Sequence, residues 1–154
     1  VGRYPVKCIE IMDRIALRVE RSGGANYAEK ARMDSLGAKM VKSAFVLSQE
    51  VAAEALIVFT RKGSMARNAA WLRPLHSPIY AFTDSPTLLN QLTLHWGITP
   101  FMIEFGANPE SNFERAVQTL KDRGLVHPGS NVVAVTEVDV GGRLIDTILM
   151  ETVE

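Results

Sequence analysis

The sequence predicts an α/β fold, a three-layer α/β/α domain built on a mostly parallel five-stranded sheet, preceded by an extra amino-terminal helix. Short apolar runs rich in β-branched residues alternate with amphipathic segments, which is the pattern of strands joined by helical crossovers. Capping residues mark the helix starts, and the last two strands lie too close together for a helix between them. Hydrophobic residues make up 47% of the 154 residues, enough for a core without disulfides or metals.

The amino-terminal segment is predicted to be an amphipathic helix over residues 5–21. Pro5 suits the first helical position, where its missing N–H costs nothing, and Val6, Ile9 and Met12 begin a stripe of apolar residues at helical spacing. Residues 26–35 are polar and weakly patterned, with room for one helical turn. We therefore divide the chain into a helix at 1–22, a linker at 23–35 and an α/β domain at 36–154.

The α/β domain is predicted from alternating apolar runs and amphipathic segments. Ser85 and Asn108 each precede a proline, which places a capping side chain before the first helical residue. Connections of this length are right-handed and make neighbouring strands parallel. The predicted helices span residues 36–51, 86–96 and 112–123, with another opening after Gly63, and the predicted parallel strands span residues 55–60, 79–83, 98–103 and 131–136.

The last predicted strand, residues 144–153, differs from the others. Only a short loop containing Gly141 and Gly142 separates it from the preceding strand, so the two must pair antiparallel at an edge of the sheet. An edge strand has unpaired backbone groups. Two interpretations stay open: the edge pairs with another subunit, or acidic residues such as Asp146 and Glu151 mask it.

The bulk properties argue against several classes of partner, although a local basic patch stays open as an alternative. Seventeen basic and seventeen acidic residues give a formal net charge of zero, so no general field attracts nucleic acid or an anionic membrane. The apolar runs are too short to span a bilayer. A single cysteine, Cys8, suits a reducing compartment, and we predict a cytoplasmic protein. Because the chain starts at Val1 rather than methionine, we expect that it was either cut from a longer protein or lost a leader, and no segment has the pattern of a leader.

The most informative segment is the turn after the first buried strand, formed by Thr60, Arg61, Lys62, Gly63 and Ser64. Ligands of open α/β sheets bind beyond the carboxyl ends of the strands, and a helix start offers free N–H groups to phosphate. The glycine allows close approach, the hydroxyls can donate hydrogen bonds, and the basic residues add charge. The alternative is an ordinary strand-to-helix turn with the serine as helix cap.

No catalytic or metal-binding constellation is apparent. His76, His95 and His127 fall on different predicted elements and lack metal-ligand spacing, and no serine has a histidine and aspartate placed to activate it. Cys8 lies among apolar residues of the first helix, so we expect it to be buried rather than nucleophilic. The turn at Gly63 matches neither the phosphate-binding loop of nucleotide hydrolases nor the dinucleotide-binding fingerprint.

Five segments together resemble the pyruvate kinases, and the resemblance covers essentially the whole chain. Residues 2–6 followed by 12–16 are similar to that family's last barrel helix, and residues 58–67 with Arg73 and Pro74 to its strand, effector loop and following helix. The segments that resemble later landmarks, in the right order, are IYAFT at 79–83, WGITP at 96–100 and GSNVV at 129–133. The chain is thus identified as a member of this family's carboxyl-terminal domain.

The resemblance implies a regulatory and oligomerisation domain. The parent enzyme would transfer phosphate from phosphoenolpyruvate to ADP in a barrel domain absent here, which would hold Mg and K, so we expect no cofactor in this domain. The implied partners are that barrel domain and a second copy contacted through the edge strand and early helices. A phosphorylated effector, either a sugar phosphate or a nucleotide, would bind at Thr60, Arg61, Lys62, Gly63 and Ser64.

The chain departs from the family pattern where effectors bind. Lys62 and Met65 stand where members that bind a bisphosphate tend to have hydroxyls or glycine. In the predicted loop before the last strand, residues 137–143, Glu137 and Asp139 would repel a second phosphate. Arg143 lies too late in this loop to compensate fully. A monophosphate effector, or none, is therefore expected.

Two other functions remain open at this point. The chain could be a stand-alone phosphate- or nucleotide-binding protein with this fold. It could equally be a dimerisation module whose effector turn has lost its ligand.

Overall fold

The computed structural model describes residues 2–21, 27–106, 108–140 and 143–154, which divide into two compact units, Val1–Lys30 and Ala31–Glu154. The first unit contains helix α1 (Pro5–Arg21), as predicted, and the short helix α2 (Tyr27–Lys30), which lies in the predicted linker. Ser22, Gly23 and Gly24, the residues directly after α1, lie outside the described residues.

Helix α1 has an exposed apolar stripe. Val6, Ile9 and Met12 are each 64–68% exposed, and all the described side chains of the helix are exposed. The expectation that Cys8 is buried is wrong, because it too is exposed. The described residues of its own unit give the apolar face of the helix no core to pack against, so neighbouring apolar residues in the sequence did not make Cys8 buried.

The second unit is a five-stranded mixed sheet with helices, and it confirms the predicted fold class. The strand order is β3-β2-β1-β4-β5; neighbouring strands are parallel except β4 and β5, which are antiparallel. The elements are α3 (Leu36–Glu50), β1 (Ala55–Phe59), α4 (Ser64–Leu72), β2 (Ile79–Thr83), α5 (Pro86–Leu92), β3 (Ile98–Met102), α6 (Pro109–Asp122), β4 (Asn131–Val140) and β5 (Arg143–Thr152).

The core lies on both faces of the central strands. All five residues of β1 and all five of β2 are buried, as their uninterrupted apolar runs predicted. On one face, alternate strand residues pack against α6 through Phe113, Ala116 and Leu120. Helices α3 and α4 contact each other and β1, and the right-handed crossover rule assigns them to the opposite face.

The predicted caps are confirmed, although two helix bounds differ by three or more residues. The Ser85 hydroxyl accepts a hydrogen bond from the Leu88 N–H at 3.3 Å, and Asn108 Oδ1 accepts one from the Glu110 N–H at 3.0 Å. Helix α6 therefore begins at Pro109, earlier than the predicted residue 112. Helix α5 ends at Leu92 rather than at 96, because the following residues turn sharply into β3 through Gly97 at a φ of 68°.

Strands β4 and β5 form a longer hairpin than predicted. Strand β4 continues to Val140 rather than to Thr136 and pairs with β5 throughout, whereas β1 pairs with it only as far as Val135. The hairpin thus runs about 17 Å past the paired part of β1. The glutamate and aspartate in this stretch alternate with valines, the pattern of a strand that is only half buried. The predicted turn residues 141 and 142 lie outside the described residues.

The two edges of the sheet are chemically different. Edge strand β3 contains Pro100, which has no N–H to donate to a further strand. Edge strand β5 contains no proline or lysine in its ten residues, so charge on residues such as Asp146 and Glu151 is what opposes pairing within the strand itself. No helix in the described residues is long and apolar enough to cross a membrane.

Candidate anion-binding turn

The turn at residues 60–64 lies at the carboxyl end of β1, the central strand of the sheet. Its first residue, Thr60, is anchored to the neighbouring strand because its N–H donates to the Phe82 carbonyl at 2.9 Å. The Thr60 side chain is buried, and Oγ1 accepts the Gly63 N–H at 2.8 Å. One hydroxyl group therefore closes the turn from inside, and its oxygen is already used as an acceptor.

Gly63 is required by both conformation and space. Its φ is 80°, in the left-handed region that residues with a Cβ avoid. A Cβ there would lie 2.8 Å from Leu88 Cδ1 and 3.0 Å from Arg67 Nη1. Gly63 is the N-cap of α4 and Ser64 is the first helical residue, so the alternative hypothesis that Ser64 caps the helix is wrong.

The first turn of α4 presents N–H groups without helical acceptors. The first intrahelical bond runs from the Arg67 N–H to the Gly63 carbonyl at 3.0 Å, which leaves the N–H groups of Ser64, Met65 and Ala66 unused within the helix. These donors lie at the positive end of the helix dipole. The exposed Ser64 hydroxyl is beside them, whereas the Met65 side chain is buried.

Basic side chains surround this helix start. Arg61 Nε lies 3.5 Å from Asp84 Oδ2, and its guanidinium carbon lies 5.0 Å from the centre of the Phe105 ring. Lys62 is exposed, and its carbonyl accepts a 3.4 Å hydrogen bond from Arg67 Nη1. The predicted site residues thus come together, and Arg67 joins them. Arg67 lies four residues after Gly63, about one helical turn further along the chain, and this spacing could have identified it as a neighbour of the turn.

The turn lies where the connections of the sheet reverse direction. From β1 the chain builds β2 and β3 on one side, then crosses to β4 on the other. In open α/β sheets ligands bind in the crevice beside such a reversal. On the far side, Glu137 of β4 pairs directly with Asp146 of β5, which brings two carboxylates together. That side of the crevice is therefore acidic.

A second polar cluster lies before the amino ends of β1 and β4, at the opposite end of the strands from the turn. Glu54 Oε1 is 2.6 Å from His127 Nδ1, and Oε2 accepts the His127 N–H at 2.8 Å. Burial alone would raise the pKa of Glu54, but hydrogen bonds involving Ser130 and His127 outweigh it and hold the pKa below its usual value. This pair joins the segments entering β1 and β4. The described residues contain no group of three or more potential metal ligands.

These features define a class of protein: an α/β domain in which a strand-to-helix turn with unused helix N–H groups lies at the reversal point of a mostly parallel sheet. The alpha/beta domain family of pyruvate kinase matches residues 38–149. The chain belongs to this family, as its motifs indicated.

Individual relatives agree with the family match. The chain is 29% identical to the chloroplastic pyruvate kinase isozyme A of Ricinus communis over 90% of its length, and 34% identical to isozyme G of the same plant over 87%. It spans 25% and 32% of these two relatives, respectively. The fold is also similar to that of one part of Cryptosporidium parvum pyruvate kinase, solved in complex with ADP, with a TM-score of 0.69 and 23% identity. The match covers 80% of this chain and 24% of that one.

Proposed function

We propose that this chain is the regulatory and oligomerisation domain of a pyruvate kinase, and that it binds a phosphorylated effector at residues 60–64. The parent enzyme would convert phosphoenolpyruvate and ADP to pyruvate and ATP in its barrel, where Mg and K would act. The family match and the chain's 25–32% share of its relatives support this division of labour. The observation that carries the effector proposal is the set of unused N–H groups that begins α4.

The proposed ligand is a single phosphate group on a sugar or nucleotide. The N–H groups of Ser64 and Ala66 would hold its oxygens, with charge supplied by Arg61 and Lys62. The buried side chain of Met65 offers no hydroxyl. The carboxylates of β4 and β5 oppose a second phosphate, so the geometry favours a monophosphate over a bisphosphate.

Assembly would use two surfaces. Strand β5 has no proline or lysine along its edge, which supports pairing with the same strand of a second copy. The exposed apolar stripe of α1 supports the proposal that residues 1–22 belong to the parent barrel and pack against it.

The compartment is part of the same proposal. A single cysteine favours a reducing environment, which the cytoplasm predicted from the sequence would provide. The relatives named above are chloroplastic enzymes, so a plastid is the alternative. Fluorescence microscopy of the tagged parent protein distinguishes the two.

Calorimetric titration of the 154-residue chain with glucose 6-phosphate, AMP and fructose 1,6-bisphosphate tests the effector site. We expect a monophosphate to bind and Arg61→Ala/Lys62→Ala to abolish that binding. The control, Lys121→Ala/Arg123→Ala, removes the same charge at the carboxyl end of α6. That end of the helix leads back to the start of β4, away from the turn. Binding that survives the first double change would place the site elsewhere, and no heat from any ligand would leave assembly as the function.

A further inference from the structure

The contact between Asp84 and Arg61 joins two loops at the proposed phosphate site. Asp84 directly follows β2, and its Oδ2 lies 3.5 Å from Arg61 Nε, with 40% and 59% of the two side chains exposed. Arg61 is therefore engaged by an anion that belongs to the chain itself. The inference drawn from this contact rests on the proposed function.

The backbone around Asp84 is firmly placed. Thr83 is fully buried, and its Oγ1 accepts the Ser85 N–H at 3.3 Å. Ser85 in turn caps α5 through the Leu88 N–H. Asp84 is held between these two hydrogen-bonded residues, so the contact opens by rotation of the Asp84 or Arg61 side chain and not by movement of the Asp84 backbone.

The guanidinium of Arg61 is held from a second side. It lies over the ring of Phe105, in the loop that follows β3, at 5.0 Å from the ring centre. A cation over an aromatic face is attracted by the electrons of the ring. Arg61 thus connects the loops that follow β1, β2 and β3, all at the carboxyl edge of the sheet.

We propose that Asp84 is an internal competitor for the phosphate group, an autoinhibitory contact that Arg61 must leave before it can bind a ligand. The carboxylate neutralises one of the two charges that residues 61 and 62 bring to the turn. It also repels an incoming dianion. Ion pairs that are exposed to this degree are weak, so a ligand that also reaches the N–H groups of α4 can displace the carboxylate reversibly.

Phosphate binding to Asp84→Asn tests the competitor directly. Inorganic phosphate is the probe, titrated into the 154-residue chain by calorimetry at constant ionic strength. Removing an exposed pair of about 1 kcal/mol corresponds to a roughly fivefold change in an equilibrium constant, so we expect Asp84→Asn to bind phosphate about fivefold more tightly. The control, Glu114→Gln, makes the same change in net charge on the exposed surface of α6 and should leave affinity unchanged.

A double-mutant cycle assigns the effect to the proposed partner. In the Arg61→Ala background, Asp84→Asn should give a clearly smaller gain, because the competed guanidinium is gone. The Nε–H resonance of Arg61 should shift in Asp84→Asn without ligand, which reports the broken contact independently of binding. If the asparagine variant does not fold, Asp84→Ser replaces it.

The possible results separate the two proposals. Unchanged or weaker phosphate binding by a folded Asp84→Asn variant would overturn the competitor and leave the phosphate site standing. Absence of phosphate binding by both the natural chain and the variant would overturn the phosphate site and the competitor with it.

Discussion

Replacing Gly63 with alanine should destabilise the domain through two separate effects. The first is conformational, because the residue has a φ of 80°, which costs a residue with a Cβ about 1–2 kcal/mol. The second is steric. The added Cβ would lie 2.8 Å from Leu88 Cδ1, and Leu88 is a buried side chain of α5. Moving a packed leucine costs about 1–3 kcal/mol.

Gly129 is a matched control that separates these effects. Its φ is 84°, close to that of Gly63, but a Cβ there would meet nothing within 4 Å. Gly129→Ala should therefore carry the conformational cost alone, about 1–2 kcal/mol. Gly63→Ala should cost roughly 2–5 kcal/mol, the sum of both effects.

Urea unfolding followed by circular dichroism measures both free energies. We expect Gly63→Ala to lose about 1–3 kcal/mol more than Gly129→Ala. Equal losses would refute the argument that the turn is sterically crowded, because both variants would then carry only the backbone term. Phosphate titration of the same proteins should show binding reduced in Gly63→Ala and retained in Gly129→Ala.

Three further predictions concern other parts of the domain. Thr60→Val should cost about 1–3 kcal/mol in urea unfolding, since it leaves the buried Gly63 N–H without its acceptor, and Thr60→Ser should restore most of that loss. Because the pKa of Glu54 is lowered, its contribution to stability is present above its usual pKa of 4.5 and is lost as the pH falls through the lowered value. Glu54→Gln should therefore destabilise the domain at neutral pH. The difference in unfolding free energy between the variant and the natural chain should shrink in unfolding curves measured in acid. Met150→Pro should yield a folded monomer in sedimentation velocity, whereas Met150→Thr should still dimerise; equal sedimentation of the two would argue against pairing through β5.

The sequence was most informative where burial is uniform. Strand β2 was predicted with its observed bounds, because a run that is buried on both faces is apolar throughout. The caps at Ser85 and Asn108 could also be predicted, because capping depends on residues only a few positions apart in the sequence. The continuation of β4 to Val140 was missed because acidic residues alternate with valines there, so no continuous apolar run marks the strand.

The geometry of the candidate site was less predictable. Its residues are consecutive after one strand, so the sequence could identify them as a group. The hydrogen bond from the Gly63 N–H to Thr60 Oγ1 could not be predicted, because it depends on how tightly the turn closes. The pairing of Arg61 with Asp84 depends on β1 and β2 lying side by side in register. Such contacts depend on the tertiary structure and cannot be predicted from a local sequence pattern.

The proline in β3 limits how large an assembly can grow. A sheet with two receptive sides can add copies without end and build a fibre. Here a β5–β5 contact related by a two-fold axis would consume the receptive side of both copies at once. The resulting ten-stranded sheet would be terminated at each end by a strand carrying Pro100, so association through this surface would stop at two.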